Sequence, residues 1–451
     1  MKPVRRSIAD RISDLPANVI ELILMSLPIR DAGKSSILSS KWRHRWRSIP
    51  QLVFDFDFNT YDDERELMLN ISKALLVHDG PITKFVLAMP GINPCQELDP
   101  VILHVSSKGV REFALYFSDE VIQPGYRQNI HSSLFSVLPL NCLKLWNCEF
   151  VPPFGFVGFG KLTRLELRTV TVPNYFYHDF LRKCPLLQDL RLLDCEGPTH
   201  VQIDEAPCLR VFLYNRGYLE DISFSRTPLL SVVSIQLQPG DFKLNEFDEA
   251  RDVIAVFASL AALQKLYVSF EFLKFLAAED IPSKLPTALR RLRVLDVRSN
   301  SHTTYFLESK VLFCLLRSSP NLRRLTIQRQ FGVEFPTRPS QPMFFEPDSV
   351  DHDAASELSD DNAEDHCCPS LEEVNMQCSE GSNFEQALLK FVLAEAPLLR
   401  RIIIKPKPGL DWEKCFKLLK EVTHCHRVSE EAEVIFMSYK KTVWSMKLAD
   451  I

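Results

Sequence analysis

The sequence has no CxxC pair, no GxxxxGK[ST] or GxGxxG motif, no excess of positive charge, and no long apolar run free of charged residues. Each absence removes a class of function. Twelve cysteines are scattered through leucine-rich surroundings, singly except for Cys367 and Cys368, which argues against a zinc finger or a dithiol redox site and for buried, reduced thiols. "HCC" at 366–368 and "HCH" at 424–426 come nearest to a ligand set, but adjacent residues chelate one ion poorly and no matching pair stands at finger spacing. The glycines of "FGFVGFGK" at 154–161 lack the strand-then-helix context of a phosphate cradle and read as a turn. The formal net charge is -5 and the pI is about 6.2, so the chain as a whole is no polyanion binder.

The most apolar stretch, "AVFASLAALQKLYVSFEFLKFLAA", is broken by Gln264, Lys265, Glu271 and Lys274, and "MKPVRRSIADRIS" has no apolar h-region. A nuclear or cytoplasmic protein without a membrane partner is expected. No nucleophile–base pair with convincing spacing emerges, so neither catalytic nor metal-binding residues are assigned, and no cofactor is expected.

What is present begins with the first fifty residues. Apolar side chains at Leu15, Val19, Ile20, Ile23, Leu24 and Leu27 have the spacing of one helix face. Pro16 suits the first turn, and Pro28 ends the run. A second short helix is expected from about Asp31, carrying Ala32 and Leu38 inward. A third would hold "KWRHRWR", with Trp42 and Trp46 four apart on one face and Lys41, Arg43, His44, Arg45 and Arg47 as a solvated rim. Stacking on separate bases would want spaced, exposed rings instead, so nucleic-acid binding through this segment is not expected. Three short helices make a small core, which points to a docking module.

"LPANVIELILMSLPIRDAGKSSILSSKWRHRWRSIPQLVFD" resembles the F-box of plant F-box proteins. The likeness rests on Leu15, Pro16, Val19, Ile20, Leu24, Leu27, Pro28, Asp31, Ala32, Ser36, Leu38, Ser39, Trp42, Arg43 and Trp46, in order and without a gap. Departures are Lys34, where that family often has Arg, and Ser40-Lys41, where it often has Lys-Arg. The resemblance implies binding to a Skp-type adaptor and, through it, to a cullin-RING ubiquitin ligase. The adaptor-contact candidates are Leu15, Pro16, Val19, Ile20, Ile23, Leu24, Leu27, Pro28, Leu38, Trp42 and Trp46. Periodicity alone also allows these residues to be a helical core packed on the rest of the chain.

From about residue 80 one pattern recurs: a leucine-type residue, then apolar residues three and five positions later, often with a proline two positions before the first. "CPLLQDLRL" and "SPNLRRLTI" show it in full. Twelve such repeats start at Ile82, Val110, Leu140, Leu162, Leu187, Leu209, Leu230, Leu263, Leu292, Leu322, Leu371 and Leu399, at intervals mostly of 21 to 33 residues. These are the periods of leucine-rich repeats, each giving one short parallel strand and a return segment. "YFYHDFLRK", "ESKVLFCLLRS" and "QALLKFVLAEA" look like helical returns. "LNCLKLWNC" and "LLQDLRLLDC" carry the fuller LxxLxLxxC form, with Cys148 and Cys195 as small buried residues. Strand alternation sends the residues between the anchors to a concave face. Candidates for recognition of an unknown protein partner are therefore Arg164, Glu166, Arg168, Asp189, Arg191, Lys265, Tyr267, Asp296, Arg298, Arg324, Thr326 and Gln328.

"EPDSVDHDAASELSDDNAEDH" packs nine acidic residues into 21 and is expected to be a solvated, disordered loop. Beyond it, Ser382 or Asn383 can cap a helix, strands are expected at Ile402–Ile404 and Val434–Phe436, and a helix at Asp411–Val422. "CPSLEEV", "FVLAEAPLLRRIII" and "EVIF" make this part similar to the FBD domain of plant F-box proteins. The expected fold is α/β: a three-helix F-box (8–54), a leucine-rich-repeat solenoid (80–335), the acidic loop (336–366) and an FBD-like unit with terminal repeats (367–440). The implied function is that of a substrate receptor in an SCF-type ligase. The alternative is a repeat scaffold whose F-box-like helices do not bind the adaptor.

Overall fold

The computed structural model describes residues 12, 14–27, 29–54, 64–89, 97–117, 128–137, 139–242, 253–277, 281–299, 306–329, 366–379, 382–407, 420, 425, 427–437 and 443–447. Pro28, nearly all of the acidic stretch and most of the expected helix Asp411–Val422 lie outside them. The chain forms two compact units, one of residues 1–198 and 205–209, the other of residues 199–204 and 210–451.

The first unit opens with helices α1 (Ala17–Met25) and α2 (Ile29–Lys34), followed by single 3-10 turns at Ser35–Ile37 and Arg45–Ser48. Pro16 sits just before the helix, and its carbonyl accepts from the Val19 and Ile20 amides. The expected third helix does not form. Residues 40–44 make turns, and His44 adopts the left-handed conformation with φ 67°, so the tryptophans are not carried on one continuous helix. A left-handed residue ends a right-handed helix after a turn.

The helical segment passes straight into a parallel ladder. Strands Gln51–Phe54, Lys84–Met89, Glu112–Phe117, Cys142–Trp146, Arg164–Arg168 and Asp189–Leu193 pair in that order. Leu52, Phe85, Phe113, Leu143, Leu165 and Leu190 are Cα partners in one stripe, and Phe54, Leu87, Leu115, Leu145, Leu167 and Leu192 form the next. All twelve are buried. Full burial of each such side chain is worth about 1.5–3 kcal/mol, so the ladder is held by repetition of one contact set.

The second unit repeats the plan with parallel strands Val211–Asn215, Val232–Gln236, Lys265–Ser269, Val294–Ser299, Arg324–Arg329, Glu373–Ser379, Arg401–Pro406 and Glu433–Met437. Strand Val443–Lys447 closes it antiparallel. Helices Phe306–Arg317 and Asn383–Glu395 fill two of the returns, the latter with a capping box between Ser382 and Glu385. In the first unit the "YFYHDFLRK" return is also helical but short, a π-helix at Phe176–Phe180 running on to residue 182; the short interval from Leu162 to Leu187 leaves little chain for a longer helix.

Each expected repeat start precedes its strand by two residues, and from Leu140 onward each closes a four-residue turn. Leu187 N–H donates to Cys184 O, Leu322 to Ser319 and Leu399 to Ala396. The frequent proline takes the second place of that turn, where its fixed φ costs nothing. Several strands end in a left-handed residue: Asn147, Thr169, Asp194 and Arg216 have φ between 52° and 56°. The Asn147 amide donates to Arg168 O at 2.9 Å and the Thr169 amide to Leu193 O at 2.7 Å, so each corner is bonded to the next rung.

Candidate docking surfaces

The N-terminal helices fold around a core of Ile20, Leu24, Ala32, Trp42 and Ile49, with Leu15, Met25 and Trp46 packed against it. Trp42 donates its indole N–H to Ile12 O at 3.1 Å, which pins the turn against the approach to α1. Among the expected adaptor contacts, Ile20, Leu24 and Trp42 therefore point inward, and Leu15, Val19 and Trp46 are half-buried. Pro16, Ile23, Leu27 and Leu38 are exposed. Leu38, expected to point inward, does not. Three outward residues lie outside the expected set: Ile12, 49% exposed, Leu22, 58% exposed, and Ile37, 87% exposed. Helical spacing reaches Leu22 only as a flanking position, and Ile37 falls in a 3-10 turn that the period does not describe. Of the basic rim, Lys41, Arg43 and His44 are exposed, while Arg45 reaches Glu21 at 3.8 Å.

This module is fixed to the first repeat by more than the chain. His78 Nε2 lies 2.8 Å from Ile49 O, the Asp79 amide donates to Arg47 O at 2.9 Å, and Gly80 lies so close to Ser48 that a Cβ would stand 2.9 Å from its carbonyl oxygen. The helices are thus held on the ladder's first rung with no linker between.

On the concave side, alternation places the expected residues between the buried anchors, but they are not free charges. Lys144 meets Glu166 at 3.2 Å, and Arg191 grips Asp189 through two 2.9 Å hydrogen bonds while Arg164 approaches the same carboxylate at 3.5 Å. Glu166 is only 9% exposed as a result, more covered than a concave position implies. Burial works against the Lys144 charge, but its hydrogen bond to Glu166 and that residue's charge outweigh it and raise the ammonium pKa. Arg168 lies 4.9 Å over the Trp146 ring, whose centroid is 4.3 Å from that of Tyr116. Lys144, Tyr116 and Trp146 occupy the same alternation positions and were within reach of that rule.

In the second unit Arg298 pairs with Asp296 at 3.0 Å, and Arg324 and Arg401 both bind Glu373, at 3.5 and 2.9 Å. Lys265 is exposed, and Tyr267, Thr326 and Gln328 are half-buried beside them.

Among the described residues no group of three or more His, Cys, Asp and Glu is placed to hold a metal ion, and no helix is long and apolar enough to cross a membrane. Burial pushes the Cys184 and Cys368 thiols up to about 12, leaving them protonated and poor nucleophiles at neutral pH. Cys148 is buried in its repeat, whereas Cys195 is half-buried, its thiol 3.4 Å from Leu167 O. In "FGFVGFGK", Gly158 has φ +110° and backs onto the Lys183 carbonyl, while Phe156 and Phe159 join Phe135 and Phe180 in one aromatic cluster. Gly158 serves packing, while Gly155 and Gly160 have nothing within 4 Å of a Cβ position.

Comparison with known proteins agrees with this layout. The F-box domain family matches residues 12–53, and the family described as "FBD-associated F-box protein At5g56370, LRR repeats" matches residues 98–327. F-box/FBD/LRR-repeat protein At1g13570 of Arabidopsis thaliana is 30% identical over 438 residues, covering 95% of this chain and 98% of its own. F-box/FBD/LRR-repeat protein At5g56420 of the same plant is 24% identical over 457 residues, with 95% and 99% covered. A third, At2g04230, is 32% identical over 194 residues, 40% of this chain and 42% of its own.

Proposed function

The chain belongs to the plant F-box/FBD/LRR-repeat protein family, and from that premise we propose that it serves as the substrate-receptor subunit of an SCF-type ubiquitin ligase. On this reading the N-terminal helices dock on a Skp-type adaptor, which joins the chain to a cullin-RING ligase, and the repeats hold a target protein. The chain contributes proximity: it raises the effective concentration of a target lysine near a ubiquitin-loaded enzyme. None of its own side chains makes or breaks a bond. Action in the nucleus or cytoplasm goes with this reading.

One observation carries it. Leu22, Ile23, Leu27, Ile37 and Leu38 stand in the open on a module whose own core is complete without them. Covering apolar surface is worth about 25 cal/mol per Å², and exposed apolar clusters on small helices mark partner sites. The rigid joint to the first rung suits a part that must hold a target at a fixed distance from the adaptor.

The test is co-purification of the intact chain with a plant Skp-type adaptor, beside an Ile37→Asp/Leu38→Asp variant. Both side chains are exposed, so the variant should melt like the parent yet lose the adaptor. A folded intact chain that fails to bind would make the helices a mere cap on a repeat scaffold.

A further inference from the structure

The second unit carries a basic edge where its strands begin. Successive rungs are stitched there by backbone bonds: the Gln264 carbonyl accepts from Arg293 and Val294, that of Arg293 from Arg323 and Arg324, that of Arg323 from Glu372 and Glu373, and that of Glu372 from Arg400 and Arg401. Neighbouring strands lie about 4.8 Å apart. Lys265, Arg293, Arg323, Arg324, Arg400 and Arg401 are therefore brought into one row, and all six are exposed.

Only part of this charge is compensated. Glu372 takes Arg323 at 3.8 Å, and Glu373 takes Arg324 and Arg401. Lys265, Arg293 and Arg400 have no carboxylate within ion-pair distance among the described residues. In a chain of net charge -5, six cations against two carboxylates leave this edge locally positive. On the two middle rungs, between the Asp296–Arg298 pair on one side and Ile403 and Lys405 on the other, the concave positions carry neutral groups, Thr326, Gln328, Asn375 and Gln377. Asn375 Oδ1 is covered and has no hydrogen-bond partner among the described residues, and the same holds for Gln236 Nε2 on an earlier rung.

We infer that this edge of the second unit binds an acidic, extended segment of a partner protein. Carboxylates of the segment would meet Arg293, Arg400 and Lys265, and its main chain would face the amide-bearing positions. Two features favour a peptide over a nucleic acid. Glu372 and Glu373 interrupt the row, which repels a continuous phosphate backbone but which spaced carboxylates can avoid. Tyr267, the one ring on the concave positions of these rungs among the described residues, is half-buried, so bases have no stacking platform. As an account of target choice the inference rests on the substrate-receptor reading; as a binding site it does not involve the adaptor.

The experiment is fluorescence anisotropy on the full chain with a fluorescein-labelled peptide of alternating glutamate and serine. The parent should bind with an affinity that falls as salt rises, Arg293→Ser/Arg400→Ser should bind roughly tenfold more weakly, and Arg293→Lys/Arg400→Lys should keep most of the affinity. Equal binding by the parent and the serine variant would overturn the inference, as would tighter binding of a labelled single-stranded RNA of equal charge. Both arginines are exposed, so the lysine variant separates lost charge from lost fold. Parent and serine variant should co-purify with the adaptor alike; failure of both, with peptide binding intact in the parent, would strike the ligase reading alone.

Discussion

The N-terminal helices and the repeat ladder use similar apolar content in opposite ways. In the ladder every periodic apolar position is buried, stripe against stripe, from Leu52 to Leu190 and from Phe212 to Val434. In the helices five residues make the core, while Leu22, Ile23, Leu27, Ile37 and Leu38 face outward. A repeat covers its apolar face with the next repeat, whereas a short helical module has no such neighbour and keeps a face for another molecule. Exposure, rather than hydrophobicity, separates a docking residue from a structural one.

Substitutions should divide along that line. Phe150 lies fully buried among Phe135, Phe176 and Phe180, so Phe150→Ala should cost about 4 kcal/mol in denaturant unfolding. Ile20→Ala, in the smaller helical core, should cost about 3 kcal/mol and weaken adaptor capture through lost structure. Ile37→Ala should leave the unfolding midpoint where it is. An Ile37→Ala loss as large as that of Ile20→Ala would erase the distinction.

The ladder was legible because the spacing of its apolar anchors within each repeat is constant, although the intervals between repeats vary. All twelve expected repeat starts precede strands by two residues, and the strands around Ile402–Ile404 and Val434–Phe436 are present. Strand Gln51–Phe54 was hidden because Ile49, Leu52 and Phe54, which obey the same rule, sit directly behind the helical motif. The helical module was less legible. Whether Ile23 or Ile20 turns inward depends on where α1 lies against Trp42, and His44 in the left-handed region ended a helix that the tryptophan spacing implied. The concave residues were placed by alternation, but alternation says nothing of charge pairing, so the coverage of Glu166 by Lys144 and the uncompensated row at Arg293 and Arg400 required the folded chain.

Alkaline titration sharpens the contrast further. Residues 12–54 contain no cysteine, while the repeats bury Cys184 and Cys368, whose thiols are pushed from the usual 9 to about 12 by burial. A raised folded pKa gives stability that is whole below the unfolded value and is lost as pH climbs toward the folded one. Unfolding free energy should therefore fall between about pH 9 and 12, by about 1 kcal/mol per pH unit for each thiol. Cys184→Ala and Cys368→Ala should each flatten that slope in urea titrations at fixed pH. An unchanged slope in both would mean that these thiols do not ionise on unfolding as burial requires.

The smallest effect belongs to the ladder's exposed ion pairs. Lys84 and Glu112 stand 3.5 Å apart with both side chains well exposed, so solvent and salt screen them and Lys84→Met should change stability by less than about 0.5 kcal/mol. Lys144→Met is the instructive partner, because Glu166 is nearly buried and would be left without its ammonium. Removing one member of a covered pair strands the other charge, so this variant should lose more than Lys84→Met, and most of that loss should return in Lys144→Met/Glu166→Gln. If the two single variants behave alike, the concave face is wetter than its packing implies, and its ion pairs are as free to be exchanged for a partner's charges as those at the rim.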